Sequence, residues 1–240
     1  MSMTRIRSAH LTWRRPDLSD SLQIGAFLLL AAGLILGLAT GAENLGYNWH
    51  WSRVPRYLVQ QTSAGWQAGP LLQGLQLTLA ITAVSLVLTL LIGLTSALMR
   101  LSDSPMARGL AKLYLELIRN TPLLIQIFLI YFVLAPIFDL QRFSSAVLAL
   151  SLFEGAYASE IIRAGILAIP TGQWEASASL GMTTPQNYRH IILPQALRQM
   201  TPPLTSQGIS LIKDSALVST IAIYDLTMQG QQIVAETFLT

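Results

Sequence analysis

The chain has 240 residues, 52% hydrophobic and only 11% charged, too few charged groups to coat a water-soluble globule of this size, so a multi-span membrane protein is the economical reading. Its net charge of +3 comes from fifteen basic residues scattered between apolar runs, with no basic patch and no recognisable nucleic-acid motif, which excludes nucleic acid as a partner. Without cysteine, and with His10, His50 and His190 widely separated in sequence, neither a disulfide framework nor a metal-ligand cluster is expected.

Arg5, Arg7, Arg14 and Arg15 precede the first run, Leu22 to Ala42, which is free of charge for 21 residues. At about 1.5 Å per residue that is roughly 31 Å of helix, enough to span a bilayer. A cleaved leader is the competing reading, because small residues (Ala39, Gly41, Ala42) end the run, but the apolar core exceeds the roughly 7 to 15 residues of a signal h-region. Residues 43–73 turn polar and aromatic, and Trp49, Trp51, Tyr57 and Trp66 suit a connection at headgroup level. The second run, Gly74 to Met99, stops at Arg100, after which Arg108, Lys112 and Arg119 crowd a short segment. Before the third run, Leu123 to Phe138, Thr121 and Pro122 offer an N-cap and a first helical position. That run is short for a span, so its helix is expected to extend backward through Leu113 to Ile118. A tight connection at Asp139 to Arg142 leads to the fourth run, Phe143 to about Ile169, which contains Glu154, Glu160 and Arg163. The fifth, Leu204 to about Thr227, contains Gly208 and the pair Lys213 and Asp214, and a polar tail from Gln229 to Thr240 follows. The expected fold is all-α, a polytopic α-helical membrane protein with about five transmembrane helices.

Basic residues set the orientation. With the N-terminus cytoplasmic, the inside segments hold Arg5, Arg7, Arg14, Arg15, Arg100, Arg108, Lys112, Arg119, Arg163, Arg189 and Arg198, while the outside ones hold only Arg53, Arg56 and Arg142. That bias places the polar interruption Pro170 to Pro194 in the cytoplasm. No internal repeat is visible, which disfavours an inverted-repeat secondary transporter.

The interruption carries two short helix signatures. Gln173 to Leu180 has good helix formers, with Trp174, Ser177 and Ala178 on one side and Glu175 in the first turn, where a carboxylate suits the helix dipole. Gly181 fits a left-handed stop. Thr184 and Pro185 offer a second start, and Tyr188, Ile191 and Ile192 recur at helical spacing before Pro194. On these grounds the segment is a helix, glycine turn, helix unit at the membrane surface, equally suited to capping the bundle or to docking a partner.

Glu175-Ala176, Gly181, Ile191 and Leu193-Pro194 resemble the EAA loop motif of binding-protein-dependent ABC importer permeases at each spacing, with Ser177 where that family has Ala. Three further segments resemble the polar amino acid branch, the histidine, glutamine, arginine and glutamate importer permeases. They are Arg119-Asn120-Thr121-Pro122-Leu123-Leu124 with Gln126, where Asn120 replaces Gly; Ala156-Tyr157 with Glu160-Ile161 and Arg163-Ala164-Gly165-Ile166; and Lys213-Asp214-Ser215 with Leu217. The resemblance covers about residues 70 to 238. It implies an N-terminal extension over 1–69, with one transmembrane helix and an outside loop, and a permease core over 70–240. Family members continue past the position of Phe238 into a further span, so the core is expected to lack the family's last transmembrane helix. The resemblance also implies a bacterial cytoplasmic (inner) membrane location and three protein partners: a cytoplasmic ABC ATPase, a second permease subunit, identical or homologous, and an extracytoplasmic amino-acid-binding protein. Membrane lipid is the remaining partner. Gln173, Glu175, Ala176, Ser177, Gly181 and Tyr188 are the implied ATPase-coupling residues. No G-x-x-x-x-G-K-[ST] run is present, so the chain is expected to hold no cofactor and catalyse nothing itself, ATP and Mg being bound by the partner.

Glu154, Lys213 and Asp214 sit near the middle of their runs, where each charge costs about 2.5 to 3.5 kcal/mol on insertion scales and needs a partner or water. A pairing of Lys213 with Glu154, leaving Asp214 free, is one arrangement. Either these charges form a network that holds helices together, or they line a substrate pathway with Gln126, Ser215 and Ser219, the acids meeting an ammonium group and Lys213 a carboxylate. Ser151, Gly155 and Ser159, at i, i+4 and i+8, read as a packing stripe, and Glu160 with Arg163 as a local pair or a contact to the loop. The leading function is the transmembrane subunit of an ATP-driven importer for polar or charged amino acids. An ion-gradient-driven amino acid transporter or channel is the alternative; it explains the buried charges but not the loop. A membrane enzyme lacks any nucleophile and base pair.

Overall fold

The computed structural model describes residues 18–44, 51–62 and 65–237. The basic residues Arg5, Arg7, Arg14 and Arg15, with His10, Trp49, His50 and the stretch 238–240, lie outside the described residues. The chain divides into two compact units, Met1–Trp51 and Ser52–Thr240. Within the first, helix α1 (Leu18–Asn44) carries leucine and isoleucine around its circumference, and its apolar stretch Ser21–Gly41 is long enough to cross a bilayer.

The second unit opens with a short turn of helix α2 (Pro55–Leu58) and an antiparallel hairpin of β1 (Val59–Thr62) and β2 (Gly65–Ala68), Val59 pairing with Ala68 and Gln61 with Trp66. Gly69 and Pro70 then start helix α3 (Pro70–Leu101), proline supplying its fixed φ where no amide donor is needed. After α4 (Pro105–Arg119), capped by Ser104 Oγ on the Ala107 amide, come α5 (Leu123–Phe128), a π-helical stretch Leu129–Leu134 and α6 (Ala135–Phe138) as one continuous rod. Helix α7 (Arg142–Leu167) follows, then the loop helices α8 (Thr171–Ser179) and α9 (Thr184–Asn187), a second π stretch Tyr188–Ile192, α10 (Leu193–Asp214), a 3-10 stretch Ser215–Ile221 and α11 (Leu226–Thr237).

Helices α3 and α7 are each long and apolar enough to cross a membrane, and α4 with α5–α6 make a further candidate that is bent by 104°. The bend is where the structure departs from the expected backward extension of the third run. Thr121 does not cap the next helix. Its hydroxyl turns back to the Leu117 and Ile118 carbonyls, and Pro122 occupies the N-cap position.

The fifth run also differs. Its helix starts eleven residues earlier, at Leu193, because the π stretch widens the turn ahead of Pro194 and lets the chain pass a residue that cannot donate to the ladder. Pro136 follows the other π stretch in the same way. The run then breaks after Ile221, at Ala222 with φ of 55°, and Thr227 already belongs to α11. Thus the tail read as polar is helical through Thr237, its first turn capped by Asp225 Oδ1 on the Met228 amide and by Thr78 Oγ1 on the Leu226 amide.

The α3–α7 pair is the spine of the unit. Gly74, Thr78, Thr82, Ser85, Thr89, Gly93 and Ser96 form a buried small-residue stripe along α3; Gly74 and Thr78 meet the start of α11, while Ser85 and Gly93 meet Ser151, Ala158 and Ser159 of α7. A Cβ on Gly93 would lie 2.8 Å from the Ala158 Cβ, and one on Gly155 would lie 2.8 Å from the Ile92 side chain. The stripe Ser151, Gly155, Ser159 therefore packs helices, as its spacing suggests. Two apolar clusters flank it: one around Ile81, Ile127 and Leu150, the other around Ile162, Ile192 and Met200 beside the loop.

Candidate functional site

Two groups of expected residues occupy different regions. In the loop, α8 ends at Ser179, and Gly181, just past its Leu180 cap, has a φ of 70°, the left-handed value that favours glycine. Thr183, one residue before the expected start, begins α9: the Gln186 side chain accepts from the Thr183 amide at 2.9 Å. The Trp174 and Tyr188 rings meet edge to face, 5.3 Å apart, and bind the two loop helices together. Ser177 is buried and donates to the Trp174 carbonyl at 2.8 Å, so the departure from Ala is absorbed by a local hydrogen bond. Ala178, expected beside Trp174 and Ser177, is exposed instead. Gln173 accepts from Gln195 Nε2 on α10 at 3.1 Å, tying α8 to the helix that follows the loop.

The opposite face of α8 is open. Glu175 and Ala176 are exposed, and Leu180 joins them with 80% of its surface exposed. Residues 175, 176, 179 and 180 share one face by helical spacing, so a leucine, a carboxylate and a small residue are presented together there. Leu180 was missed by motif reading because the motif names other positions, although the i+4 and i+5 spacing from Ala176 and Glu175 points to it.

The second group centres on Glu154 of α7, which is wholly buried. Gln207 Nε2 of α10 donates to Glu154 Oε2, and the Asp214 carboxyl lies near the same group. Gln207 and Asp214 are seven apart on one face of α10. The expected pairing of Lys213 with Glu154 is not formed. One residue from Asp214, Lys213 is turned about 100° away on the helix, is exposed, and has no ion-pair partner among the described residues. Glu154 Oε1 is buried without a hydrogen-bond donor among them. Gln207 is the member sequence reading missed, since a lone glutamine in an apolar run carries no motif.

The remaining expected pathway residues are engaged locally. Gln126 Nε2 donates to the Ile118 carbonyl at 2.7 Å and to Thr121 Oγ1 at 2.7 Å, fastening the bend between α4 and α5. Ser215 and Ser219 return their hydroxyls to the Ile212 and Ala216 carbonyls. Glu160 forms more than the expected local pair: Arg100 lies 2.7 Å away, and Arg119 and Arg163 each 3.1 Å away, so three helices share one carboxylate. No group of three or more metal-ligating side chains occurs among the described residues.

Residues 89–240 match the family described as binding-protein-dependent transport system inner membrane component. The chain is similar to the L-cystine transport system permease protein TcyB of Bacillus subtilis (strain 168), 44% identical over 183 residues that cover 75% of this chain and 76% of that one. It is also similar to the glutamine transport system permease protein GlnP of Escherichia coli (strain K12), 40% identical over 180 residues, 73% of this chain and 82% of the relative. Among solved structures, a crystal structure of an amino acid ABC transporter with histidines superposes with a TM-score of 0.65 at 40% identity, covering 70% of this chain and 79% of that chain.

Proposed function

Since this chain belongs to the family of binding-protein-dependent transport system inner membrane components, we propose that it is the transmembrane subunit of an ATP-driven importer for polar or charged amino acids. The chain conducts the amino acid, and hydrolysis belongs to a separate ATPase. The observation that carries this reading is the loop, whose two helices are locked by Trp174 and Tyr188 and present Glu175, Ala176 and Leu180 outward. In this reading the loop faces the cytoplasm, with the N-terminus on the same side. There the ATPase receives α8 in a cleft, where small Ala176 permits close approach and Leu180 fills an apolar pocket. Gln173, Ser177, Gly181 and Tyr188 hold that face in shape. Closure of the ATPase dimer is passed directly to α7 and α10, which the loop joins without a break on the α10 side. A second permease subunit and an extracytoplasmic binding protein complete the assembly.

Glu154, which accepts from Gln207, and the nearby Asp214 supply the polar point along the path. Two carboxyls and a carboxamide suit an ammonium group, the feature that all amino acids share. The ion-gradient alternative rests on these carboxyls alone and leaves the exposed face of α8 without a role.

The test is to reconstitute the chain with its ATPase and binding protein and to introduce Glu175→Lys and Leu180→Asp, both at exposed positions that leave the fold intact. Both variants are expected to lose binding-protein-stimulated ATP hydrolysis and uptake together while purifying in normal yield. Wild-type uptake by both would overturn the docking assignment.

A further inference from the structure

A cationic cavity of the second unit lies outside both groups of residues above. Between α4, α3 and α7 is a cavity of about 590 Å³ lined by Arg100, Arg108, Lys112 and Arg119, against the carboxylates of Glu116 and Glu160. Glu160 is already shared by Arg100 and Arg119 from the lining and by Arg163 from its own helix. Arg108 donates to the Ser102 carbonyl at 3.2 Å, and neither Arg108 nor Lys112 has a carboxylate partner among the described residues. The cavity therefore keeps a positive excess at its α4 wall.

Helix α4 is strongly two-sided. Arg108, Lys112 and Arg119, at i, i+4 and i+11, face the cavity. Met106, Leu110, Leu113 and Leu117, at i, i+4, i+7 and i+11, are 51 to 74% exposed on the other side. The bend of 104° to the rod that follows lays α4 near the membrane plane when that rod crosses the bilayer. An apolar stripe, a basic stripe and an in-plane axis are the features by which an interfacial helix holds anionic lipid.

We propose that this cavity binds the phosphate of an anionic phospholipid headgroup, with Arg108 and Lys112 as its principal contacts and the leucine face of α4 seating the helix among the acyl chains of the same leaflet. A free anion meets the same cations but has no use for the exposed apolar stripe, which is why the lipid is the assigned occupant. The inference goes beyond the import reading and depends only on the geometry of α4. It is tested on the full chain without ATPase or amino acid, so its failure leaves the import reading standing.

The experiment is native mass spectrometry of the delipidated chain titrated with phosphatidylglycerol and phosphatidylcholine of identical acyl chains. The wild type is expected to retain one phosphatidylglycerol in preference to phosphatidylcholine. Arg108→Gln with Lys112→Gln is expected to weaken that retention roughly 30-fold, about 2 kcal/mol at about 1.4 kcal/mol per tenfold. Arg108→Lys with Lys112→Arg keeps both charges and is expected to keep the preference. Equal retention of the two lipids, or undiminished phosphatidylglycerol binding by the neutral double variant, would overturn the proposal. Displacement of the lipid by millimolar inorganic phosphate would also overturn it, by identifying a site for a free anion.

Discussion

Replacing Gly93 with alanine probes the contact on which the second unit is built. The new Cβ would lie 2.8 Å from the Ala158 Cβ, 3.2 Å from the Ser159 amide nitrogen and 3.3 Å from the Ala158 carbonyl carbon. Two of those neighbours are backbone, so relief requires α3 and α7 to separate by roughly 1 Å from a contact that carbon atoms prefer at about 3.5 to 4.0 Å. Overpacking of this kind costs about 1 to 3 kcal/mol. Alanine returns about 0.5 to 1 kcal/mol of helix propensity, which leaves a net loss of roughly 0 to 2.5 kcal/mol, centred near 1. Gly109→Ala on α4 is the matched control, because a Cβ there meets nothing within 4 Å and only the propensity gain remains. Unfolding by SDS titration from mixed micelles, followed by circular dichroism, measures both. Gly93→Ala is expected to unfold at a lower SDS fraction than wild type and Gly109→Ala at an equal or higher one. Equal stability of the two variants would refute the claim that α3 and α7 meet backbone to backbone at Gly93.

Further outcomes follow from individual contacts. Glu154→Gln replaces the buried carboxyl beside Gln207 and Asp214, and is expected to lower amino acid uptake ten- to a hundredfold, the equivalent of about 1 to 3 kcal/mol for a buried polar partner lost, with ATP hydrolysis still responsive to the binding protein. Ser177→Ala exchanges one local hydrogen bond for a methyl group of similar size, so uptake stays at the wild-type level and stability moves by less than about 1 kcal/mol. Gly181→Ala forces a side chain into the left-handed region at φ of 70°, costing about 1 to 2 kcal/mol and reducing uptake in proportion to how far α8 shifts, as followed by transport in proteoliposomes. Glu160→Gln dissolves a cluster that is about one-quarter exposed, so its stability cost is only about 1 kcal/mol and fades in high salt, as SDS titration at two ionic strengths measures.

Much of the loop was legible in the sequence because it depends on short-range rules. Gly181 lies in the left-handed region, Trp174 and Tyr188 have helical neighbours, and capping chemistry appears within one residue of its expected place at Thr183. The small-residue stripe of α7 was legible for the same reason, although its partner stripe on α3 was equally readable from Gly74 to Ser96. What sequence reading missed is set by where helices bend and turn in three dimensions. The bend after Arg119 depends on Gln126 reaching back across Thr121, a contact no periodicity encodes. The helix passing Pro194 depends on a π turn that hydropathy cannot register. The partners of Glu154 depend on the rotation of α10, which turns Gln207 and Asp214 toward it and Lys213 away, and sequence identifies the charged residues without their azimuth.

The central claim is that ATP hydrolysed by a partner drives this chain through the exposed face of α8. The most direct measurement is amino acid uptake by proteoliposomes holding the chain, its ATPase and its binding protein, with the proton gradient collapsed and ATP kept high. Uptake that persists under these conditions, and vanishes when the ATPase is replaced by a catalytically dead form, is the predicted result. Uptake that continues with the dead ATPase and falls with the proton gradient would contradict the account.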